Sequence, residues 1–285
     1  MKLFIFTKKK VLIICFIILI IVTACFIYLT FKSSEVFAVE LSYNSVTSDK
    51  LKNNISKLTN GEEKIAYLTF DDGPTISVTP KILDILKSEN IKATFFVIGK
   101  YVERYPDIVK RAYNEGHYIA NHGYSHNNDT LYKSEESFIN EIKKTDLAIG
   151  KAIDIENYCS CVFRFPNGYM SSQNKAKKKE AALLLSKMNY TYIDWNCLNN
   201  DSMMKYTKEQ LLNNLKKSSK NKNTLVILMH DTKDVSDSSA VLEDSIAYLK
   251  SQGYKFENFY NLMYWCTYVN LRFVWKVLWR NMDSS

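Results

Sequence analysis

Thr69-Phe70-Asp71-Asp72-Gly73-Pro74 places two adjacent carboxylates before a Gly-Pro pair, directly after the apolar run Ile65-Ala66-Tyr67-Leu68. Two readings fit it. Asp, Gly and Pro are ordinary turn residues, so the stretch can be a plain turn. It can also be a metal-and-base site, in which one Asp ligates a cation and its neighbour takes a proton from water. Further on, Asn121-His122-Gly123-Tyr124-Ser125-His126 carries two histidines at i and i+4. That spacing suits a single metal ion held by a helical turn or a tight loop. With Asp72 the pair makes an Asp/His/His set that leaves coordination positions open, which a hydrolytic metal site requires. Arg164-Phe165-Pro166-Asn167-Gly168 offers a guanidinium able to orient a carboxylate and a turn whose N–H groups can face an oxyanion. Asp194-Trp195 and Leu228-Met229-His230-Asp231 follow. A His at a strand end can act as a general acid, and a nearby Asp can keep it protonated at neutral pH. The plainer readings are a strand-to-loop turn, a wall Trp and a satisfied core His.

The elements that must position these residues alternate. Ile65–Phe70, Ala93–Val97, His117–Ala120, Cys161–Phe165, Thr191–Trp195, Thr224–Met229 and Tyr254–Glu257 read as strands. Pro80–Glu89, Pro106–Asn114, Glu135–Gly150, Lys175–Met188, Lys208–Ser219 and Ser239–Gln252 read as helices between them. Strict alternation implies parallel strands with helices outside, and seven or eight such units imply a closed or nearly closed barrel. In such a barrel, active sites lie at the carboxyl ends of the strands. The chemistry-bearing residues fall at those ends.

Thr-Phe-Asp-Asp-Gly, His-x-x-x-His, Arg-x-Pro-x-Gly, Asp-Trp and Leu-x-His, in this order over about residues 64–260, resemble the polysaccharide deacetylase family, the NodB-homology group of carbohydrate esterases (family 4). Five ordered motifs are specific where each alone is weak. The resemblance implies a distorted (β/α) barrel with a groove for sugar chains, and removal of acetyl groups from peptidoglycan, chitin or xylan. It also implies one divalent metal ion, usually zinc, with cobalt or another divalent ion as alternatives. Carried over by position, Asp71 is the general base and Asp72, His122 and His126 are the metal ligands. Arg164 orients Asp71, and the backbone N–H of Asn167 helps bind the oxyanion. Asp194 tunes His230, the general acid, while Trp195 and Leu228 form the pocket for the acetyl methyl. Two positions depart from the family pattern. Gly123 stands where a Ser or Thr usually braces the ligand loop, which implies weaker metal binding. Asn167 stands where many relatives have an aromatic residue. His117 fills no family role and reads as structural.

The ends of the chain carry a different signal. Lys8, Lys9 and Lys10 precede 21 uncharged residues, Val11 to Phe31, a run long enough to cross a bilayer as a helix. The lysine asymmetry places the amino terminus in the cytoplasm and the remainder outside, a single-pass membrane protein. Val36-Phe37-Ala38 is an alternative cleavage site, and Val22-Thr23-Ala24-Cys25 resembles a lipoprotein box, although the apolar run continues past it. Residues 32–63 read as a polar spacer and 64–260 as the catalytic domain. Beyond about 260, Leu271, Val274, Trp275 and Leu278 form an apolar face beside Arg272, Lys276 and Arg280. This tail reads either as an interfacial amphipathic helix or as a helix packed on the domain.

The formal charge of +8 is partly terminal, because residues 38–285 hold 33 basic against 29 acidic side chains. That mild surplus suits an anionic polymer such as cell wall and is too diffuse for nucleic acid. The expected substrate is a cell-wall glycan, peptidoglycan N-acetylglucosamine first and N-acetylmuramic acid next. O-acetyl ester hydrolysis and non-catalytic glycan binding are the alternatives, and no protein partner is implied. Cys15 and Cys25 lie in the apolar run. Cys159 and Cys161 are poorly spaced for a mutual bridge on a strand. Cys159 or Cys161 with Cys197 is one possible pair, and free buried thiols are the other outcome.

Overall fold

The computed structural model describes residues 63–232 and 238–260, together with Thr23. The chain divides into two compact units, Met1–Val46 and Thr47–Ser285, and all described residues except Thr23 belong to the second. Among the described residues no helix is long and apolar enough to cross a membrane. The expected anchor over 11–31 and the tail beyond 260 lie outside them.

Among the described residues there are eight strands: β1 Ile65–Asp71, β2 Thr94–Val97, β3 Tyr118–Asn121, β4 Val162–Phe163, β5 Thr191–Tyr192, β6 Cys197–Leu198, β7 Thr224–His230 and β8 Lys255–Glu257. The helices between Glu63 and Tyr260 are α1 Thr79–Ser88, α2 Gly99–Arg104, α3 Pro106–Asn114, α4 Asn128–Leu131, α5 Glu135–Ile153, α6 Lys175–Lys187, α7 Lys208–Ser219 and α8 Leu242–Ser251. A 3₁₀ turn, Ser238–Ala240, precedes α8. Every strand pairing is parallel, in the order β5-β4-β3-β2-β1-β7-β6. The alternation of strand and helix in the sequence thus leads to the expected architecture, because parallel neighbours need a crossover that returns the chain to the same end.

The expected closed or nearly closed barrel takes the form of a half-barrel, a curled parallel sheet with helices, whose edge strands β5 and β6 do not pair. Strands β5 and β6 sit at opposite edges, yet only Ile193, Asp194, Trp195 and Asn196 connect them. Six strand spacings of about 4.8 Å would separate the edges of a flat sheet by about 29 Å. Five Cα steps reach at most about 18 Å. The sheet must therefore curl to bring its edges together, and that connection carries Asp194 and Trp195 across the opening. β1 shows a second departure from a regular barrel. Its whole length pairs with β7 on one side. On the other side β8 takes Ile65–Tyr67 and β2 takes Thr69–Asp71.

β1 is buried almost throughout, as its run of apolar residues implies. Phe70 stacks on Phe95 of β2 at 5.2 Å between ring centroids. A second cluster, Phe138 and Ile142 of α5 with Phe163, Phe165 and Leu185, packs behind β4. α5 starts where Ser134 accepts the Ser137 N–H, and α7 starts at a capping box between Thr207 and Gln210. β4 is shorter than the expected Cys161–Phe165. Cys161 has a left-handed φ of 55°, which bends the chain before the strand, and Pro166 has no N–H to continue it. The two-residue β6 has no counterpart in the expected element list, because a pair of residues carries no periodicity to read.

Candidate active site

Neighbouring strand residues point to opposite faces, so Asp71 and Asp72 in one strand could not serve one site. The chain solves this at Asp72, whose φ of 75° breaks the alternation just past β1. Both carboxylates then approach His122 Nε2, Asp71 Oδ2 at 3.8 Å and Asp72 Oδ1 at 3.3 Å. Gly73 lets the turn close, because a Cβ there would lie 1.9 Å from the Asp231 carboxylate. His122 and His126 follow β3, on a loop tied to the β2 end by Gly99 N–H to Gly123 O and Lys100 N–H to Tyr124 O.

Asp72, His122 and His126 form one cluster whose ligand atoms lie within 4.8 Å of one another. His126 Nε2 is 3.1 Å from Asp72 Oδ1, yet that oxygen is buried without a hydrogen-bond partner. Close approach without a hydrogen bond is what results when the lone pairs of all three face a common point. His122 Nδ1 donates to the Arg164 carbonyl at 2.8 Å, which leaves its Nε2 lone pair directed at the cluster. The donors, two imidazole nitrogens and a carboxylate oxygen, fit a divalent ion such as zinc with positions left open. Burial alone would raise the Asp72 pKa, but His122, His126 and His230 outweigh it and hold the carboxyl well below its usual range. Burial pushes His126 down, which favours the neutral ligand form.

Arg164 is fully buried, where desolvation lowers its pKa. Its Nη1 donates to Asp71 Oδ1 at 2.8 Å and to Thr69 Oγ1 at 2.7 Å, and its Nε donates to Ile193 O at 3.0 Å. The guanidinium lies 4.0 Å from the centroid of Phe96. Asp71 is thus fixed by a charge-assisted bond while its second oxygen faces the histidine cluster.

His230 ends β7, directly opposite Asp71 in the β1–β7 register. The expected contact between Asp194 and His230 is absent. Asp194 accepts the N–H groups of Tyr169 at 2.8 Å and Met170 at 3.0 Å, so it clamps the Pro-Asn-Gly turn. Asp201 takes the place beside His230. Its Oδ1 accepts from His230 Nδ1 at 2.7 Å and its Oδ2 accepts the His230 N–H at 2.7 Å. Ser238 Oγ also donates to Asp201. Burial would lower the His230 pKa, but Asp201, helped by the charges of Asp71 and Asp72, outweighs it and raises the value to about 9. Asp201 was not legible as a site residue because it lies in the polar run Asn199–Ser202 after an unrecognised strand; the usable signal was a carboxylate just past a strand end. Asp231 turns elsewhere and accepts from Thr79 Oγ1 at 2.7 Å.

Asn167 is exposed with a φ of 63°, and its side chain donates to Gln173. Trp195 is half-buried beneath Gly168, where a Cβ would come within 2.9 Å of the indole. Leu228 is buried on β7 between Thr69 of β1 and Leu198 of β6. His117 is buried and its Nδ1 accepts the Ala93 N–H at 3.0 Å. Burial lowers its pKa to about 4.

The ligand loop is braced despite Gly123. Asn121 Oδ1 accepts the Gly123 N–H at 2.9 Å. Buried Glu141 of α5 accepts three bonds through Oε2: Tyr124 N–H at 2.9 Å, Ser125 N–H at 2.7 Å and Ser125 Oγ at 3.0 Å. The brace expected from a hydroxyl within the loop is supplied from the helix behind it. On the open side, Asp72 and His126 line a cleft of about 360 Å³ with Thr75, Lys100 and Tyr101.

A cleft over an Asp/His/His cluster, with an Arg-held carboxylate and an Asp-held histidine at the strand ends, defines a centre suited to metal-assisted hydrolysis. The chain belongs to the polysaccharide deacetylase family, carbohydrate esterase family 4, whose model matches residues 59–193. Two peptidoglycan-N-acetylglucosamine deacetylases of Bacillus cereus are similar to it. One is 36% identical over 192 residues, 66% of this chain and 64% of that protein. The other is 34% identical over 227 residues, 78% of this chain and 79% of that protein. The chain thus spans under two thirds of the first of these relatives. The catalytic domain of a peptidoglycan N-acetylglucosamine deacetylase from Eubacterium rectale shares the fold, with a TM-score of 0.63 and 30% identity, covering 70% of this chain and 90% of that one.

Proposed function

We propose that the protein removes acetyl groups from the N-acetylated sugars of peptidoglycan, with N-acetylglucosamine as the first choice of substrate. The observation that carries this reading is the placement of Asp71 and His230 as register partners on β1 and β7, beside the Asp72, His122 and His126 cluster. A base and an acid set about one shared point suit hydrolysis of an amide, which needs a proton removed from water and another delivered to the amine. A glycan-binding module would need neither. When bound at Asp72, His122 and His126, a divalent cation, zinc in our reading, would polarise the acetyl carbonyl and lower the pKa of water.

Asp71 takes the proton from the attacking water, with its orientation fixed by Arg164. His230 delivers a proton to the departing nitrogen, and Asp201 keeps that imidazole charged and aligned. The N–H of Asn167 is placed by the turn that Asp194 clamps, where it can face the developing oxyanion. Trp195 and Leu228 wall the acetyl methyl. The charge-free run from Val11 to Phe31 behind Lys8–Lys10 supports membrane anchoring with this domain outside the cell.

The test is acetate release from purified peptidoglycan, with mass spectrometry of the resulting muropeptides. The expected result is loss of acetyl groups from glucosamine residues, abolished by chelation and restored by zinc. Muropeptides that keep every N-acetyl group while an O-acetylated glycan loses its esters would overturn the amide assignment.

A further inference from the structure

Two cysteines outside the proposed catalytic machinery are held in a geometry that the sequence argued against. Residues two apart on a strand keep their side chains well separated. Cys159 and Cys161 are not on a strand, because the left-handed φ of 55° at Cys161 folds the chain back before β4. Their sulfur atoms lie 3.0 Å apart, within van der Waals contact and about 1 Å beyond the ~2.05 Å of a bonded pair. The residue between them is clamped. Ser160 donates its N–H to Asp146 Oδ2 at 3.1 Å and its hydroxyl to Asp146 Oδ1 at 2.8 Å, and its carbonyl accepts from Tyr118. Asp146 in turn accepts from Asn121 at 2.9 Å and from Tyr190. The turn that brings the sulfurs together is therefore fixed by α5 and β3.

The two sulfurs differ in access. Cys161 is buried, whereas Cys159 is half-buried and lines a cavity of about 970 Å³ with Asp146, Met188 and Tyr190. This cavity shares no lining residue with the cleft over Asp72. The two sulfurs share one hydrogen bond in which either can donate, and that bond lowers the pKa of Cys159 below that of an ordinary thiol. Cys197, the other described cysteine, is buried and free, and burial raises its pKa to about 11.

The geometry points to Cys159 and Cys161 as a thiol–disulfide exchange site, at which a molecule carrying a disulfide is reduced and a Cys159–Cys161 bridge is formed. The Cys159 thiolate attacks one sulfur of the incoming disulfide; that S–S bond breaks and one thiolate leaves, giving a mixed disulfide. Cys161 then loses its proton to solvent and attacks the Cys159 sulfur, and the second thiolate leaves. Two protein thiols become one disulfide as one disulfide becomes two thiols. The bridge lies three residues before Arg164, so it also fixes the entry of β4.

The purified chain is equilibrated with glutathione and glutathione disulfide over a range of ratios, quenched in acid, alkylated in denaturant and digested with trypsin. Residues 152–164 form one tryptic peptide holding both cysteines. As the mixture becomes more oxidising, that peptide should change from doubly alkylated to unlabelled and lighter by two hydrogens, with Cys197 alkylated throughout. Cys161→Ser should stop at a single glutathione adduct on Cys159. Cys159→Ser should form an adduct at least about tenfold more slowly, because its remaining thiol is buried. Two labels on the peptide at every ratio, two glutathione adducts on it, or consumption of Cys197 in step with it would each overturn the proposal.

Discussion

The two halves of the candidate active site are built on different principles. The ligand-and-base half takes Asp71 and Asp72 from the end of β1 and His122 and His126 from one loop after β3. Each pair lies within a few residues of sequence, and a left-handed residue or a tight loop sets its internal geometry. The acid half joins His230, the last residue of β7, to Asp201, which follows β6 from 29 residues upstream. Only the packing of β6 against β7 brings them together. Local backbone thus fixes the first half, and strand order fixes the second. The first half should depend on single ligands, and the second on a pair.

The largest effect expected is at the ligands. His126→Ala should remove both bound metal and acetate release, since two remaining donors hold a divalent ion poorly. Inductively coupled plasma mass spectrometry beside the activity assay checks this, and a variant that keeps both would break the ligand assignment. Next comes the base. Asp71→Asn should bind metal as the wild type does and lose about 10²–10⁴-fold in kcat, because the proton acceptor is gone while the ligands stay. Loss of metal along with the rate would show that Asp71 is a ligand instead.

The acid half is tested by its pH profile. Asp201 is the main group raising the His230 pKa to about 9, with Asp71 and Asp72 adding to it, which favours the protonated imidazole at neutral pH. Removing that negative charge in Asp201→Asn lowers the pKa. The protonated acid is then lost at lower pH, and the alkaline limb of kcat should move downward. Asp194→Asn should leave that limb in place, because Asp194 binds the Tyr169 and Met170 N–H groups. A shift with Asp194→Asn and none with Asp201→Asn would reverse the assignment. The smallest effect concerns the brace. Glu141→Gln should weaken metal affinity by about tenfold through the loop it supports, with kcat unchanged at saturating metal. A metal titration of that variant reads the effect directly, and unchanged affinity would show that the loop holds its ligands without Glu141.

The same division separates what the sequence made legible from what it hid. Helix Pro106–Asn114 was readable because a proline opens it, and Lys208–Ser219 because a Thr–Gln capping pair marks its start. Asp71, Asp72, His122, His126, Arg164 and His230 were readable because each stands in a short motif at a strand end. Asp201 was not, since nothing in Asn199-Asn200-Asp201-Ser202 separates a site carboxylate from a solvated loop. The short α2 and α4 were missed because six and four residues show too little periodicity. The opening of the barrel was hidden for a related reason. Reading Thr191–Trp195 as one strand merged β5 with the link to β6, and that link crosses the gap between the sheet edges. The Cys159–Cys161 approach was hidden by the left-handed residue at the start of the presumed strand.

Metal titration of catalysis tests the central claim most directly. The chain is stripped with a chelator, dialysed and titrated with zinc while acetate release from peptidoglycan is followed. One cluster of Asp72, His122 and His126 predicts activity that rises from background and saturates at one zinc per chain. Full activity in the stripped protein, or saturation only at two zinc ions per chain, would contradict it.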